Sequence, residues 1–282
     1  MIYKNFDDLK LSRIVFGAAS ISGEGAGYGF GDISSNDSID LLSYAYSEGI
    51  NVFDTAPIYG FGESETRLGL AFEKIRDKVV ICSKAGVGWH DNKRVNMSNE
   101  PKLIAKMFDE SRRRLKSDYI DIYMIHWPDK NVDIRKSLEP LYKLKNQGAI
   151  KYIGLCNTHT TDLSLSQDID FIQSEFNYFN NGFKDIDKSN YQTMGWGSFD
   201  KGILSGSVTT SSKFDKSDCR SWAPWWKKSD WKSRVNIAQE LQSKIHPKSL
   251  VDFSVNYSLE NIDFPIFGMR KKSHIDSISR LL

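Results

Sequence analysis

Four side chains with different acid–base chemistry occur in the first half of the chain, each at or shortly after the end of a short apolar run. They are Asp54, Tyr59, Lys84 and His126. Taken singly, they have ordinary interpretations as a turn-capping carboxylate, a surface aromatic ring or a core histidine. A lysine that ends an apolar run is less ordinary, because a buried ammonium is costly unless it is paired. The four together are hard to explain by packing alone, which favours a shared site.

Together these four side chains would form a proton donor. A free tyrosine hydroxyl has a pKa of about 10, so Tyr59 would need help to release its proton at neutral pH. The ammonium of Lys84 would lower that pKa, and the carboxylate of Asp54 would keep the lysine charged and oriented. His126 would hydrogen-bond a substrate oxygen. Such a site stabilises the alkoxide that forms when hydride reaches a carbonyl, which implies a nicotinamide cofactor as the hydride source.

Eight apolar runs rich in β-branched and aromatic residues alternate with helical patterns. The runs are Arg13–Phe16, Ile50–Asp54, Val79–Lys84, Ile120–His126, Ile150–Leu155, Phe171–Glu175, Gln192–Ser198 and Phe264–Gly268. Nearly continuous apolar runs are typical of parallel strands that are covered on both faces. The alternation predicts an α/β fold, either a (β/α)8 TIM barrel or a doubly wound sheet. In a barrel the C-terminal strand ends share one rim, where the four side chains would converge, and this favours the barrel.

Local signals predict the ends of three helices. The predicted helices are Ser38–Glu48, Pro101–Leu115 and Ile134–Lys145. Asn36 or Asp37 would cap the first. The second would have proline in its first turn and arginines in its last turn, which suits the helix dipole. Gly148 would lie just beyond the third, as glycine does at many helix C-termini.

No repeat, low-complexity linker or charge block marks a domain boundary. Residues 1–282 are therefore predicted to form a single barrel domain, with a short N-terminal hairpin and a long loop before the last barrel units. That loop is Ser205–Asp230, and a second irregular segment, Gly23–Gly31, is predicted to be a flexible loop after the first barrel strand. Its alternating glycines lack the third spacing of the G-x-G-x-x-G fingerprint, which disfavours a Rossmann dinucleotide fold.

Composition excludes several other classes of protein. The 282 residues include 38 basic and 36 acidic side chains, and a net charge of +2 is too small for nucleic acid to be the expected main partner. Three widely spaced cysteines suit a reducing cytosol. There is no signal-peptide pattern and no run of about 18 apolar residues, so we expect a cytoplasmic protein without membrane contact. We predict no metal site, and either a monomer or a small homo-oligomer.

Three longer motifs resemble the aldo-keto reductase superfamily of nicotinamide-dependent carbonyl reductases. They are Gly-Ile-Asn-Val-Phe-Asp-Thr-Ala-Pro-Ile-Tyr-Gly at 49–60, Asp-Tyr-Ile-Asp-Ile-Tyr-Met-Ile-His-Trp-Pro-Asp at 118–129 and Gly-Ala-Ile-Lys-Tyr-Ile-Gly-Leu-Cys-Asn at 148–157. The resemblance spans roughly residues 10–275 and is weakest across 205–262. It implies a (β/α)8 barrel with Tyr59 as general acid, the Lys84–Asp54 pair as the group that tunes it, and His126 as the residue that orients the carbonyl.

The same resemblance implies a set of cofactor contacts. They are Gly17, Asp54, Asn157, Gln173, Trp196, Gly197, Ser198, Phe199, Lys201, Gly202, Leu204, Gly268, Arg270 and His274. Asn157 and Gln173 match residues that bind the nicotinamide amide, and Trp196 matches the aromatic that stacks on the nicotinamide ring. Residues 197–204 resemble the segment over the pyrophosphate. Cys156 stands where the family usually has serine. A basic turn at 270–272 would receive a 2′-phosphate, which favours NADPH, with NADH as the alternative.

Aromatic residues on the predicted rim loops suggest the substrate pocket. They are Tyr28, Trp89, Trp127 and Trp222, with Phe30, Trp225 and Trp226 nearby. Such rings suit aromatic or apolar carbonyl compounds and also the C–H faces of sugars. Because the chain stops at Leu282, we expect an open site that is walled mainly by the 205–230 loop.

Three functions remain open from the sequence. The leading hypothesis is NADPH-dependent reduction of an aldehyde or ketone, including a sugar carbonyl, or the reverse oxidation. The alternative from another class is a catalytically weak cofactor-binding regulatory protein like the potassium-channel β-subunits, which also resemble this family. A third is a Schiff-base lyase with Lys84 as nucleophile. A binding module would not need all four ionisable residues, and Asp54 with Tyr59 in the reductase motif disfavours the lyase.

Overall fold

The computed structural model describes residues 1–23 and 27–282, in which strands and helices alternate along the chain. The strands are β1 (Tyr3–Phe6), β2 (Leu9–Ser12), β3 (Val15–Gly17), β4 (Val52–Asp54), β5 (Val80–Ala85), β6 (Val87–Trp89), β7 (Val95–Met97), β8 (Ile120–Ile125), β9 (Ile150–Cys156), β10 (Phe171–Asn177), β11 (Asn180–Asn181), β12 (Gln192–Trp196) and β13 (Phe264–Phe267). The helices are α1 (Ser35–Ser47), α2 (Glu63–Phe72), α3 (Pro101–Arg114), α4 (Ile134–Asn146), α5 (Thr160–Leu165), α6 (Pro224–Lys227), α7 (Trp231–Ile245), α8 (Leu250–Asn261) and α9 (Lys272–Ser279).

Eight of these strands close into a parallel barrel in the order β3-β4-β5-β8-β9-β10-β12-β13. Pairing of β13 with β3 and of β9 with β10 completes the ring. The eight strands coincide with the eight apolar runs of the sequence, because only strands buried on both faces require such continuous apolar stretches. The predicted (β/α)8 barrel is confirmed.

The core has two layers. The barrel interior holds a buried cluster of Leu11, Val15, Val52, Val80, Cys82, Ile122, Met124, Tyr152, Cys156, Phe171, Met194, Phe264 and Ile266. A larger apolar layer lies between the strands and the surrounding helices, with members on α1, α2, α3, α4 and α8. Alternate side chains along each strand therefore serve different layers, which fixes the register of the barrel.

The antiparallel hairpin β1–β2 packs against the interior cluster from the N-terminal end of the barrel. Its Phe6 ring lies 5.0 Å from the ring of Tyr152 and 5.1 Å from that of Phe171, measured between centroids. The predicted N-terminal hairpin is present, and it leaves the opposite rim free for chemistry.

Helix α1 begins three residues earlier than the sequence analysis predicted. Its cap is Ser34, whose Oγ accepts a hydrogen bond from the backbone N–H of Asp37 at 3.0 Å. Asp37 therefore lies in the first turn and accepts the Ser34 hydroxyl at 2.7 Å, so the prediction of Asn36 or Asp37 as cap was wrong. The overlooked signal is a serine followed three residues later by an acidic residue.

Helices α3 and α4 agree with the sequence analysis. Helix α3 starts at Pro101 and carries three arginines in its last turn. Helix α4 is followed by Gly148 with a φ of 71°. That left-handed conformation is the one that favours glycine beyond a helix end.

The 205–230 segment contains only one short 3-10 turn, Cys219–Ser221, and the single turn of helix α6. Its backbone joins the loop after β3, because the Gly31 N–H donates to Ser217 O at 3.1 Å and the Cys219 N–H donates to Gly29 O at 2.9 Å. The predicted loop Gly23–Gly31 is described only in part, since residues 24–26 lie outside the described residues. Within the described ranges, no helix is long and apolar enough to cross a membrane.

Candidate active site

The four ionisable residues of the sequence analysis meet at the C-terminal rim of adjacent strands. Asp54 is the last residue of β4, Lys84 lies near the end of β5, and His126 directly follows β8. Tyr59 lies in the turn after β4, and its ring centroid is 6.0 Å from that of His126, with the two rings perpendicular. The convergence expected from a barrel is therefore present.

Lys84 and Asp54 form a buried ion pair. The side chain of Lys84 is 0% exposed and that of Asp54 is 5% exposed. Lys84 Nζ donates to Asp54 Oδ2 at 2.7 Å and to the backbone carbonyl of Thr55 at 2.8 Å. An ammonium has three donors, so within the described part of the chain one N–H remains for a further acceptor. Nζ lies 5.6 Å from the Tyr59 ring centroid.

The charges at this site oppose one another at Tyr59. Burial raises the pKa of the Tyr59 hydroxyl above its usual value, Lys84 pulls that pKa down, and Asp54 raises it again. For Lys84, burial lowers the pKa, but the attraction of Asp54 outweighs it, so the pKa is raised overall. Lys84 therefore stays an ammonium and Tyr59 stays a neutral phenol with a proton to give. The lowering of the Tyr59 pKa expected from Lys84 alone is outweighed by burial.

His126 is a neutral imidazole at physiological pH. Burial and the positive charge of Lys84 hold its pKa well below the usual value. Its Nδ1 atom is buried and has no hydrogen-bond partner among the described residues. A neutral ring has one N–H donor, which makes His126 a hydrogen-bond donor to a polar substrate atom rather than a charged acid.

A linked set of amide groups forms the floor next to the ion pair. Gln173 Nε2 donates to Asp54 Oδ2 at 2.8 Å, and the Cys156 thiol donates to Gln173 Oε1 at 3.3 Å. Asn157 Nδ2 donates to the His126 carbonyl at 3.1 Å, while Trp196 Nε1 donates to Asn157 Oδ1 at 3.0 Å. Each amide oxygen keeps a second lone pair, so Asn157 and Gln173 retain one acceptor position each for a ligand amide.

One cavity of about 1190 Å³ connects this floor to the far side of the rim. That volume exceeds the roughly 300–1,000 Å³ of sites for drug-sized ligands, so it has room for a dinucleotide and a substrate together. A Cβ on Gly17 would meet Ile266 Cγ2 at 3.0 Å, and one on Gly268 would meet Ser20 Cβ at 3.3 Å. Both glycines line the cavity, so at these two points its wall is backbone without a side chain. The residues present fit a nicotinamide dinucleotide.

Most of the sequence-predicted cofactor residues line this cavity. They are Gly17, Asp54, Asn157, Gln173, Trp196, Gly197, Ser198, Phe199, Lys201, Gly202, Gly268, Arg270 and His274. Leu204 does not line it, because its side chain is 1% exposed in the apolar cluster that joins the 205–230 segment to α7 and α8.

Arg270 binds backbone carbonyls of the protein, whereas the sequence analysis expected it to receive a 2′-phosphate. Its guanidinium donates to three backbone carbonyls, those of Ser20 at 2.7 Å, Gly31 at 3.0 Å and Asp32 at 2.8 Å. Burial lowers its pKa. Arg270 thus clamps the loop after β3 to the end of β13, and most of its donors are already used. The neighbouring Lys271 and Lys272 are exposed at the start of α9.

Two of the four predicted pocket aromatics, Tyr28 and Trp127, line the cavity. Trp89 and Trp222 are not among the described residues that line it. Trp89 packs against Phe61, with ring centroids 5.5 Å apart, and Trp222 packs behind Tyr28 at 5.6 Å. Trp222 therefore contacts a residue of the cavity wall, and Trp89 packs in the apolar cluster that includes the wall residues Ile58 and Val87.

The sequence analysis did not single out several residues of the cavity wall. Ile58, Val87, Val95, Met97 and Glu175 all line it. Val87 and Val95 belong to the β6–β7 hairpin, which leaves the barrel after β5 and packs beside Tyr59 in a small apolar cluster. The β-branched residues Val87 and Val95 on either side of a short polar stretch were a weak signal for the hairpin. A charged residue at the end of the sixth barrel strand was the signal for Glu175.

The described residues contain no group of three or more His, Cys, Asp or Glu side chains that could hold a metal ion. All three cysteines are buried and free.

Comparison with known proteins gives a consistent result. The chain matches the aldo/keto reductase family over residues 13–282. It is 28% identical over 288 residues to the aldo-keto reductase YhdN of Bacillus subtilis (strain 168), a match that covers 97% of this chain and 86% of that protein. It is 30% identical over 223 residues to the NADH-specific methylglyoxal reductase of Escherichia coli (strain K12), covering 72% of this chain and 68% of the other.

A solved structure of a glycerol dehydrogenase from Gluconobacter oxydans is also similar, with a TM-score of 0.84 and 29% identity over 98% of this chain and 88% of that one. An aldo-keto reductase from Bacillus halodurans shares the fold, with a TM-score of 0.79 at 18% identity over 100% of this chain and 90% of the other. The chain belongs to the aldo/keto reductase family and is an NAD(P)H-dependent oxidoreductase that reduces carbonyl groups.

Proposed function

We propose that this protein reduces an apolar or aromatic aldehyde or ketone with NADPH, with Tyr59 as the general acid. The observation that carries the proposal is the buried Lys84–Asp54 pair beside Tyr59 at the floor of the large cavity. A buried ion pair is seldom a gain in stability over a well-packed apolar pair. Its position beside a titratable phenol favours a chemical role.

Each residue of the site has a defined task in this proposal. The bound nicotinamide would supply hydride to the carbonyl carbon. Tyr59 would donate its proton to the carbonyl oxygen as negative charge develops there. Lys84 stabilises the phenolate that remains, and Asp54 holds Lys84 in place. His126 would hydrogen-bond the same oxygen through its single N–H, which orients the substrate.

The proposed cofactor contacts follow the cavity. Asn157 and Gln173 would hold the nicotinamide amide, Trp196 would stack on the ring, and residues 197–202 would lie along the pyrophosphate. The exposed Lys271 and Lys272, which follow the cavity-lining Arg270 in the chain, favour NADPH, because a 2′-phosphate needs cationic partners. NADH is the alternative, since Arg270 is engaged by carbonyls and one relative is named as NADH-specific.

An apolar part of the cavity wall, which partly shares a cluster with Tyr59, supports an apolar substrate. It is formed by Tyr28, Ile58, Val87, Val95, Met97 and Trp127. The side chains of Met97 and Trp127 are 55% and 42% exposed, so apolar surface is left for a ligand to cover. No charged side chain belongs to this set. A triose or sugar would leave several hydroxyls without partners here, which costs affinity.

The experiment is a titration of the purified protein with NADPH and NADH, followed by turnover of a carbonyl panel. We expect tight NADPH binding and higher kcat/KM for benzaldehyde-type and long aliphatic aldehydes than for glyceraldehyde or methylglyoxal. Preference for the small polar carbonyls would contradict the apolar substrate class. Binding without turnover of any carbonyl would support the regulatory protein instead. Borohydride trapping of a substrate on Lys84 would support the lyase.

A further inference from the structure

The acidic residue Glu175 lies in the same cavity that would receive an anionic dinucleotide. It lies on β10, two residues after Gln173, which is one of the proposed nicotinamide contacts. A carboxylate in a cavity for a polyanion is unfavourable unless it is neutralised. Neither the four-residue acid–base site nor the proposed cofactor contacts use Glu175.

The partner that neutralises Glu175 is Lys201. Lys201 Nζ donates to Glu175 Oε1, while Asn180 Nδ2 donates to the other carboxylate oxygen at 2.8 Å. The two charged side chains are only 16% and 19% exposed, so solvent screens them weakly. Glu175 also flanks the turn at Gly197, where an added Cβ would lie 3.3 Å from Glu175 Oε1.

Lys201 lies between Trp196, the residue proposed to stack on the nicotinamide ring, and the 205–230 segment. Its Nζ lies 5.4 Å from the Trp196 ring and 5.8 Å from the Trp225 ring. Its backbone is in the left-handed region with a φ of 54°, and its carbonyl is held by Arg220 at 2.7 Å. The ammonium is therefore fixed in place on the cavity wall. Glu175 is its hydrogen-bonded carboxylate partner across the turn, and Asp200 lies farther away, with Oδ1 at 3.6 Å.

We propose that Glu175 is an internal counter-ion that occupies Lys201 in the free protein and competes with the cofactor phosphates for it. Glu175 is a positioning residue in this scheme, and it rests on the proposed function, because the competing anion is the dinucleotide. Binding exchanges one anionic partner of Lys201 for another, and release restores the Glu175–Lys201 pair. The carboxylate thereby weakens cofactor affinity and speeds cofactor release.

The test compares Glu175→Gln with a charge-matched control, Asp230→Asn. Both changes remove one negative charge from the cavity lining, but Asp230 pairs with Arg234 at 2.8 Å and not with Lys201. Quenching of tryptophan emission measures NADPH affinity, and stopped-flow chase with excess NADP⁺ measures release. Inorganic pyrophosphate is titrated in parallel by thermal shift, as an anion without the nucleoside.

We expect Glu175→Gln to bind NADPH on the order of tenfold more tightly, mainly through slower release, because one partner of a desolvated charge pair is removed. Glu175→Gln should also bind pyrophosphate more tightly than the parent does. The NADPH affinity of Asp230→Asn should stay within about twofold of the parent's. Lys201→Met should bind both NADPH and pyrophosphate more weakly. Melting curves of all variants confirm folding.

Unchanged or weaker NADPH binding in Glu175→Gln, with the parent binding normally, would overturn the counter-ion proposal and leave the proposed function intact. An equal gain in NADPH affinity in Asp230→Asn would overturn it too, because the effect would then come from the net charge of the cavity rather than from the Glu175–Lys201 pair. Failure of the parent to bind either NADPH or NADH would overturn the proposed function and the counter-ion with it.

Discussion

Lys84 carries an ammonium into the barrel where its side chain is 0% exposed. It donates two hydrogen bonds, one to the carboxylate of Asp54 and one to the backbone carbonyl of Thr55. The same group tunes Tyr59 and lowers the pKa of His126. Burial therefore sets the direction of both pKa shifts, and the Lys84 charge opposes burial at Tyr59 but adds to it at His126.

Replacing Lys84 with Met should lower the free energy of unfolding by about 3–5 kcal/mol, because Asp54 would be left as an uncompensated buried charge. Denaturant titration measures this. The double variant Lys84→Met/Asp54→Asn should recover much of the loss, since it removes both charges. A double variant no more stable than Lys84→Met would show that the cost comes from packing rather than from the unpaired carboxylate.

The pKa directions at Tyr59 and His126 predict a flat pH profile for carbonyl reduction. Tyr59 keeps its proton because its pKa is raised, and His126 stays neutral because its pKa is held well below 6.5. We therefore expect kcat/KM to vary little between about pH 6.5 and pH 9. A step with its midpoint near pH 6.5 that disappears in His126→Gln would mean that His126 titrates normally, contrary to this account.

Sequence reasoning identified the chemistry at the residue scale but not the state of each group. The sequence shows that four ionisable residues lie at or near strand ends, because the barrel strands can be recognised as apolar runs. These residues are Asp54, Tyr59, Lys84 and His126. The sequence does not show that burial affects the pKa of Tyr59 more than Lys84 does, since this depends on which loops cover the phenol. The three carbonyl contacts of Arg270 were equally hidden, because they join residues about 240 positions apart.

At the scale of elements, helices α2 and α3 pack so closely that a glycine is needed between them. A Cβ on Gly69 of α2 would collide with the carbonyl oxygen of Arg114 and lie 2.8 Å from the carbonyl carbon of Leu115. Both obstacles are backbone, so no side-chain rotation relieves them. The short separation also brings Arg114 to Glu65, which it contacts at 2.7 Å.

Gly69→Ala should destabilise the protein by about 2 kcal/mol. Alanine gains about 1 kcal/mol of helix propensity, but overpacking against backbone costs about 1–3 kcal/mol or more. The matched control is Gly88→Ala in β6, where the nearest atoms to the new Cβ belong to Met107, at 3.7 Å and beyond. If thermal unfolding showed Gly69→Ala to be as stable as the parent, the helix contact would be looser than described.

The elements that sequence reasoning missed are those with weak apolar patterns. The barrel strands were found because each is buried on both faces. The β6–β7 hairpin has three-residue strands with partly exposed residues, so periodicity gives little signal. Helix α1 was misplaced at its start because Ser34 and two candidate caps lie within four residues, and only the structure shows which hydroxyl or carboxylate receives the backbone N–H.

At the scale of the molecule, the hairpin that stabilises the barrel and the candidate active site lie at opposite ends of the barrel. The β1–β2 hairpin packs at the N-terminal end, while the cavity opens at the C-terminal rim. We propose that the chain is one domain, because residues of the 205–230 segment share an apolar cluster with helices α7 and α8.

This separation predicts that damage to the hairpin lowers stability without changing catalysis. Phe6→Ala should cost about 2 kcal/mol, less than for a fully buried phenylalanine because the ring is only partly buried. Below the new melting temperature, kcat and KM for the carbonyl should stay within about twofold of the parent. A large change in KM would show that the two ends of the barrel are coupled.

The most direct test of the account is the rate of carbonyl reduction by Tyr59→Phe, measured alongside its affinity for NADPH. Loss of a general acid usually costs about 10²–10⁴-fold in rate, and the phenyl ring keeps the shape of the wall. We expect unchanged NADPH binding and a loss of kcat in that range. A variant that reduces the same aldehyde within a few-fold of the parent rate would contradict it, because the proton would then come from another group.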